Sequence, residues 1–102
     1  LHAMHIVYIL KSVKLNRFYI GYTSNLDLRL EFHADDTQTR KFTHSATDWE
    51  LVFTINCATK KQGLLIEQHI KSMKSKVYIH NLTQYPEMTE KLLEKYKEAS
   101  DC

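Results

Sequence analysis

His5-Ile6-Val7-Tyr8-Ile9-Leu10 is a short apolar run rich in β-branched side chains, and it predicts a buried strand. Arg17-Phe18-Tyr19-Ile20-Gly21-Tyr22 has the same character. The polar link from Lys11 to Asn16 is short enough for a hairpin with a long loop, so the two strands should pair antiparallel. Beyond them, Leu26, Leu28, Leu30 and Phe32 alternate with Asp27, Arg29, Glu31 and His33, a period of two that favours a strand. Leu, Arg and Glu are nonetheless good helix formers, and this stretch holds no β-branched residue after Thr23. Ser24 with Asp27 three positions on also resembles a helix start. The balance predicts a short helix from about Leu26 to His33.

Residues 34–47 are polar and predict a loop, and Glu50-Leu51-Val52-Phe53-Thr54-Ile55-Asn56 predicts a third strand. Over Lys60–Lys74, Ile66, Ile70 and Met73 recur at helical spacing, with Thr59 placed to cap the helix. Pro86 then precedes a final amphipathic helix carrying Met88, Leu92, Leu93 and Tyr96. The order β-β-α-β-α-α implies an α/β (α+β) fold, a small three-stranded antiparallel sheet flanked by helices. No repeat or Pro/Gly-rich linker divides the chain, so residues 4–82 should form one domain. Residues 83–102 should supply a C-terminal helix packed on it or extending it.

Composition narrows the classes. The 102 residues, 43% hydrophobic and 25% charged, suit one globular core and exclude whole-chain disorder. No apolar run approaches the roughly 20 residues of a membrane span. Two cysteines, Cys57 and Cys102, make no disulfide framework, and Leu1 to Met4 show no leader, so a reduced, cytoplasmic protein starting at Met4 is expected, with residues 1–3 a remnant. Net charge is only +2, but it is unevenly spread. Residues 60–76 carry five lysines against Glu67, while residues 86–102 carry five acids against three lysines. A lysine-rich segment of this kind can neutralise several phosphates even in a nearly neutral molecule, or serve simply as a solvated face.

Taken singly, the reactive residues say little. Tyr8 and Tyr19 suit strands by packing alone, His33 is one of six histidines, and Glu67 is spaced to pair with Lys71 on a helix. As an ordered set they are specific. Ile6-Val7-Tyr8, then Tyr19-Ile20-Gly21-Tyr22-Thr23-Ser24-Asn25-Leu26, then Arg29 and His33, resemble the GIY-YIG nuclease superfamily. Asp48-Trp49-Glu50-Leu51-Val52-Phe53 is similar to that family's third strand, and Glu67 falls where its members carry a metal-binding glutamate. Lys71 to Leu82, with Lys74-Ser75-Lys76 and Tyr78-Ile79-His80-Asn81-Leu82, is similar to the tail of the small stand-alone, URI-type members. The resemblance spans about residues 5–82. It departs from the pattern at Ile6, where the first half-motif has glycine, a residue that supplies backbone room and no reactive group.

The resemblance implies a metal-dependent endonuclease acting on DNA phosphodiester bonds in repair, recombination or restriction. Tyr8, Tyr19, Arg29, His33 and Glu67 would be its catalytic residues, with Lys71, Lys74, Lys76, Arg40, Lys41 and Asn81 binding substrate. The chemistry is consistent with those residue types. Arg29 and His33 are four apart and share a helix face, and a guanidinium fork suits phosphate. Glu67 lies about 60° around its helix from both Leu64 and Ile70, at the edge of an apolar face, where a carboxylate can point into a cleft. A single acidic ligand suits one Mg²⁺ (or Mn²⁺) that keeps several waters.

The base is open between Tyr8 and His33. A tyrosine base must drop about 3 units from its ordinary pKa near 10, with Arg29 or the metal supplying much of that, whereas histidine needs no shift. No cysteine pair is spaced for zinc, His69 should face away from Glu67 at about 160°, and His2 and His5 belong to a flexible N-terminus. The alternative is a catalytically weak nucleic-acid-binding module on the same fold; an interaction domain docking through the C-terminal helix is a third reading. A single small domain, monomeric or weakly dimeric and without a membrane partner, leaves little scope for high sequence specificity.

Overall fold

The apolar run at the start of the chain forms β1 (Ile6–Ser12), two residues longer than its apolar core. It is the central strand of a three-stranded antiparallel sheet, with β2 (Arg17–Thr23) on one side and β3 (Glu50–Asn56) on the other. The computed structural model describes residues 4–34 and 48–97, with the backbone alone over 31–34. A four-residue turn, 13–16, joins β1 to β2, and Asn16 takes a left-handed φ of 52°, which asparagine tolerates better than most residues. Asp48 ties this turn down, accepting from the Ser12 hydroxyl at 2.6 Å and the Lys14 amide at 2.9 Å. Those hydrogen bonds hold its carboxyl below the usual carboxylate range. Between Ile9 and Leu10 the pairing with β3 skips Val52, a bulge.

The sheet is covered on both faces, which is why β1 is apolar without alternation. One set of its side chains, Val7 and Ile9, joins Ile20, Ile55, Ile66, Ile70, Ile79, Leu82 and Leu92 in the main core. The other set, Ile6, Tyr8 and Leu10, packs with Tyr19, Leu26, Leu30 and Trp49. Burying each such side chain fully contributes about 1.5–3 kcal/mol.

The main core is closed by α2 (Lys60–Met73), α3 (Lys76–Gln84) and α4 (Pro86–Lys95). Thr59 caps α2 as expected, its side chain accepting from the Gln62 amide at 3.2 Å. Met73 departs from the spacing argument: it is 43% exposed, while Ile66 and Ile70 are fully buried. Helix α3 adds one element to the expected order. Ser75 caps it and only Ile79 and Leu82 are buried, too short an apolar signal to stand out beside lysine and histidine. Helix α4 starts at Pro86 and docks through Leu92, through Gln62 Nε2 donating to the Leu93 carbonyl at 2.9 Å, and through a 2.8 Å hydrogen bond between His69 Nδ1 and the Tyr96 hydroxyl. His69 thus turns away from Glu67 as its spacing predicts.

The opposite face is covered by α1 (Leu26–Ala34). The helix wins over the alternation, at the cost of leaving Leu28 62% exposed. Its cap is Asn25, whose Oδ1 accepts from the Leu28 amide at 3.1 Å, one residue later than the Ser24 start expected. His5 also departs from expectation. Its ring is not a loose tail: it shares a 2.8 Å hydrogen bond with the Tyr22 hydroxyl, and its carbonyl accepts from the Cys57 amide at 2.7 Å. Among the described residues no helix is long and apolar enough to cross a membrane.

Candidate active site

Four of the five expected catalytic side chains come from four different elements to one place. Tyr8 lies on β1 directly opposite Gly21 of β2, and its ring reaches over that glycine toward the sheet edge. A Cβ on Gly21 would sit 2.4 Å from both Cζ and the hydroxyl oxygen of Tyr8. Gly21 has no left-handed φ, so its absent side chain matters for space and not for backbone conformation. Tyr19, two residues before Gly21 on the same strand, places its ring 6.3 Å from that of Tyr8, and the two side chains share a hydrogen bond.

Arg29 enters from α1, half-buried, close enough for its charge to act on the Tyr8 hydroxyl. Glu67 enters from α2, with its side chain 15% exposed and its carboxylate also acting on Tyr8. Tyr8 itself is 1% exposed. Burial is the largest influence on it and drives its pKa above the ordinary value of 10; the nearby Tyr19 pushes the same way, Arg29 pulls down, and Glu67 pushes up again. Arg29 alone therefore does not produce the lowered phenol expected of a tyrosine base. One guanidinium does not offset desolvation of a phenolate at a nearly water-free position.

Lys71 pairs with Glu67, Nζ to Oε2 3.1 Å, along the helix at i,i+4. Lys71 is 53% exposed, and pairs of this kind contribute little, about 0–1 kcal/mol, so a phosphate can draw Lys71 away at small cost. Among the described residues no three His, Cys, Asp or Glu side chains group as a metal cage. A single, largely buried carboxylate at the mouth of this cluster fits a hard cation that keeps most of its own waters.

His33 lies in the last turn of α1, four residues from Arg29, and its side chain is outside the described residues, as are Arg40 and Lys41 altogether. Lys71, Lys74 and Lys76 gather around a cleft between β2 and the α2–α3 corner, where Lys74 takes a left-handed φ of 47° as it ends α2. Asn81, half-buried on α3, does not line that cleft. Arg17 and Phe18 do, although their residue types point to no such role in the sequence. Their only signal was position, on the same edge strand as Tyr19.

The same arrangement can be set beside known proteins. A family model described as the GIY-YIG catalytic domain matches residues 4–81, from the first strand into α3. The chain is 32% identical over 78 residues to the UPF0213 protein YazA of Bacillus subtilis (strain 168), a span covering 74% of this chain and 77% of that relative. No solved structure matches the chain. The matched span ends before α4, so the helix that docks on His69 and Gln62 lies outside it.

Proposed function

Because the chain belongs to the GIY-YIG catalytic domain family, whose domains are nucleases, we propose that it is a metal-dependent endonuclease that hydrolyses DNA phosphodiester bonds. The observation that carries this is the convergence of Tyr8, Tyr19, Arg29 and Glu67, drawn from four elements, at one edge of the sheet beside a lysine-rimmed cleft. Packing alone gives no reason to bring a half-buried guanidinium and a nearly buried carboxylate to the same tyrosine.

Each residue has a distinct task. Arg29 offers its fork to a non-bridging phosphate oxygen and stabilises the charge that grows there as the bond breaks. The Tyr8 hydroxyl, held protonated and hydrogen-bonded by Tyr19, orients the attacking water or the phosphate against which it moves. His33, four residues after Arg29 in the chain, is the proposed proton acceptor, since imidazole ordinarily titrates near neutral pH. Glu67 would hold one Mg²⁺ or Mn²⁺, which when bound supplies Lewis-acid stabilisation of the leaving oxygen. Lys71, Lys74 and Lys76 would hold flanking phosphates without reading sequence. The setting proposed is DNA repair, recombination or restriction.

The test is incubation of the wild type and Glu67→Ala with labelled single-stranded, duplex and branched DNA, in Mg²⁺ or Mn²⁺ and in chelator. Cleavage should require the metal and vanish in Glu67→Ala, while that variant keeps its far-ultraviolet circular dichroism and most of its DNA affinity. Undiminished cutting by Glu67→Ala or in excess chelator would overturn the one-metal reading, and no cutting of any substrate would leave a binding module.

A further inference from the structure

The cleft beside the catalytic cluster is built unlike a simple phosphate groove. It has a volume of about 420 Å³, and its floor is apolar, with Phe18 of β2 half-buried there and Ile20 of β2, Ile70 of α2 and Ile79 of α3 buried behind it. Its rim carries Arg17, Lys71, Lys74 and Lys76, with no acidic residue among its lining. Tyr19 belongs both to this lining and to the catalytic cluster, so whatever fills the cleft lies next to the reacting phosphate.

The two halves of this lining ask for one ligand. A bare anion would satisfy the cations and leave the apolar floor wet. An aliphatic ligand would cover the floor and bring no counter-charge to a rim on which Glu67 pairs with Lys71. Intact duplex offers phosphates on a convex surface while its bases stay stacked inside, so it too leaves the floor unused. An unpaired nucleotide does both: its flat base lies on apolar and aromatic surface, and its own and flanking phosphates meet the rim. The volume falls in the lower part of the roughly 300–1,000 Å³ of small-ligand sites, enough for one nucleoside and not for two stacked pairs.

From this complementarity we infer that the cleft is a subsite for one unpaired nucleobase of the nucleic-acid substrate, next to the bond to be cut. The inference rests on the nuclease reading only in taking nucleic acid as the partner. It makes the protein selective for strands with a base free to leave the stack, such as a single strand, a bulge or a flap, over continuous duplex.

The test separates binding from cleavage. The full chain is titrated, in chelator so that nothing is cut, with fluorescein-labelled oligonucleotides: fully paired duplex, the same duplex with a one-nucleotide bulge, the single strand, and a bulge whose extra nucleotide is abasic. A second set carries 2-aminopurine at the bulge. The bulge and the single strand should bind about tenfold more tightly than the duplex, within the range expected for one base gained on an aromatic surface. The abasic bulge should lose that advantage, and 2-aminopurine fluorescence should change on binding.

Phe18→Ala, which removes the aromatic part of the floor, should bring the bulge-to-duplex affinity ratio close to one. If that variant fails to fold, the abasic comparison decides the matter with wild-type protein. Equal affinity for intact and abasic bulges, with unchanged 2-aminopurine fluorescence, would overturn the subsite. Base-dependent binding without cleavage in Mg²⁺ or Mn²⁺ would keep the subsite and remove the nuclease reading, and cleavage of duplex and bulge at equal rates and affinities would do the reverse.

Discussion

Gly21→Ala is the sharpest test of how the site is assembled, because one methyl group is set against one ring. The added Cβ would lie 2.4 Å from Tyr8 Cζ and 2.8 Å from Cε1, where ordinary contact begins near 3.4 Å. The ring must therefore move by about 1 Å. The far end of a side chain usually yields cheaply, but Tyr8 is 1% exposed and enclosed by the group that includes Tyr19, Leu26, Leu30 and Trp49. Overpacking of this kind costs about 1–3 kcal/mol, offset by about 0.5–1 kcal/mol because alanine loses less backbone entropy than glycine in a strand.

The middle of both ranges leaves a net loss of about 1.25 kcal/mol, which corresponds to a melting temperature lower by roughly 5–10 °C in a domain of this size. A 1 Å displacement at the reacting groups should also cost about 100-fold in turnover. Urea denaturation and single-turnover cleavage measure the two effects. The decisive arm is the same substitution in a Tyr8→Leu background, which lacks the atoms that collide. There Gly21→Ala should become stabilising by about 0.5–1 kcal/mol, the glycine entropy term alone. An equal destabilisation in both backgrounds would refute the steric account, as would a Gly21→Ala protein with wild-type melting and turnover.

Tyr8→Phe keeps the ring and removes the hydroxyl, so stability should change by about 1 kcal/mol while turnover falls roughly 100-fold; near-wild-type single-turnover rates would return Tyr8 to a packing role. Arg29→Ala should depress turnover far more than DNA affinity, because its contact strengthens in the transition state, and parallel losses in rate and anisotropy-measured affinity would make it a docking residue. The Asp48 carboxyl is held below its ordinary pKa of 3.8 by Ser12 and Lys14. Its contribution is therefore fully present above that value and is lost as pH falls through the lower folded-state value. Asp48→Asn should lower the melting temperature at pH 7 and flatten its decline below about pH 4 in an acid melting series, and an unchanged acid limb would show the turn to be indifferent to that charge.

Much of this protein is decided locally. The β-branched run of β1, the hairpin after it, the third strand and the Thr59 and Pro86 helix starts all follow from short-range pattern and capping chemistry, and they appear where that chemistry puts them. The ordered set Tyr8, Tyr19, Gly21, Arg29 and Glu67 was also legible, since family motifs are written in sequence order. The choice at α1 was close to the limit of local information. Alternation pointed to a strand, and helix formers with a polar cap pointed to a helix; packing settled it by burying the Leu26 and Leu30 side against Tyr8 while Leu28 stays in solvent.

What only the tertiary structure decided depends on residues far apart in the chain. That the Gly21 position makes room for the Tyr8 ring follows from the β1–β2 register, and no property of glycine in sequence announces it. The rise in the Tyr8 pKa comes from its burial in the group that includes Tyr19, Leu26, Leu30 and Trp49, which outweighs the charge of Arg29. His5, His69 and Gln62 gained partners 17 to 31 residues away, Tyr22, Tyr96 and Leu93, which no window along the chain contains. The cleft is the clearest case: Phe18 is an ordinary strand residue and Lys74 an ordinary helix end until the edge strand and the α2–α3 corner meet, because an apolar floor and a basic rim exist only where two separate stretches of chain are brought side by side.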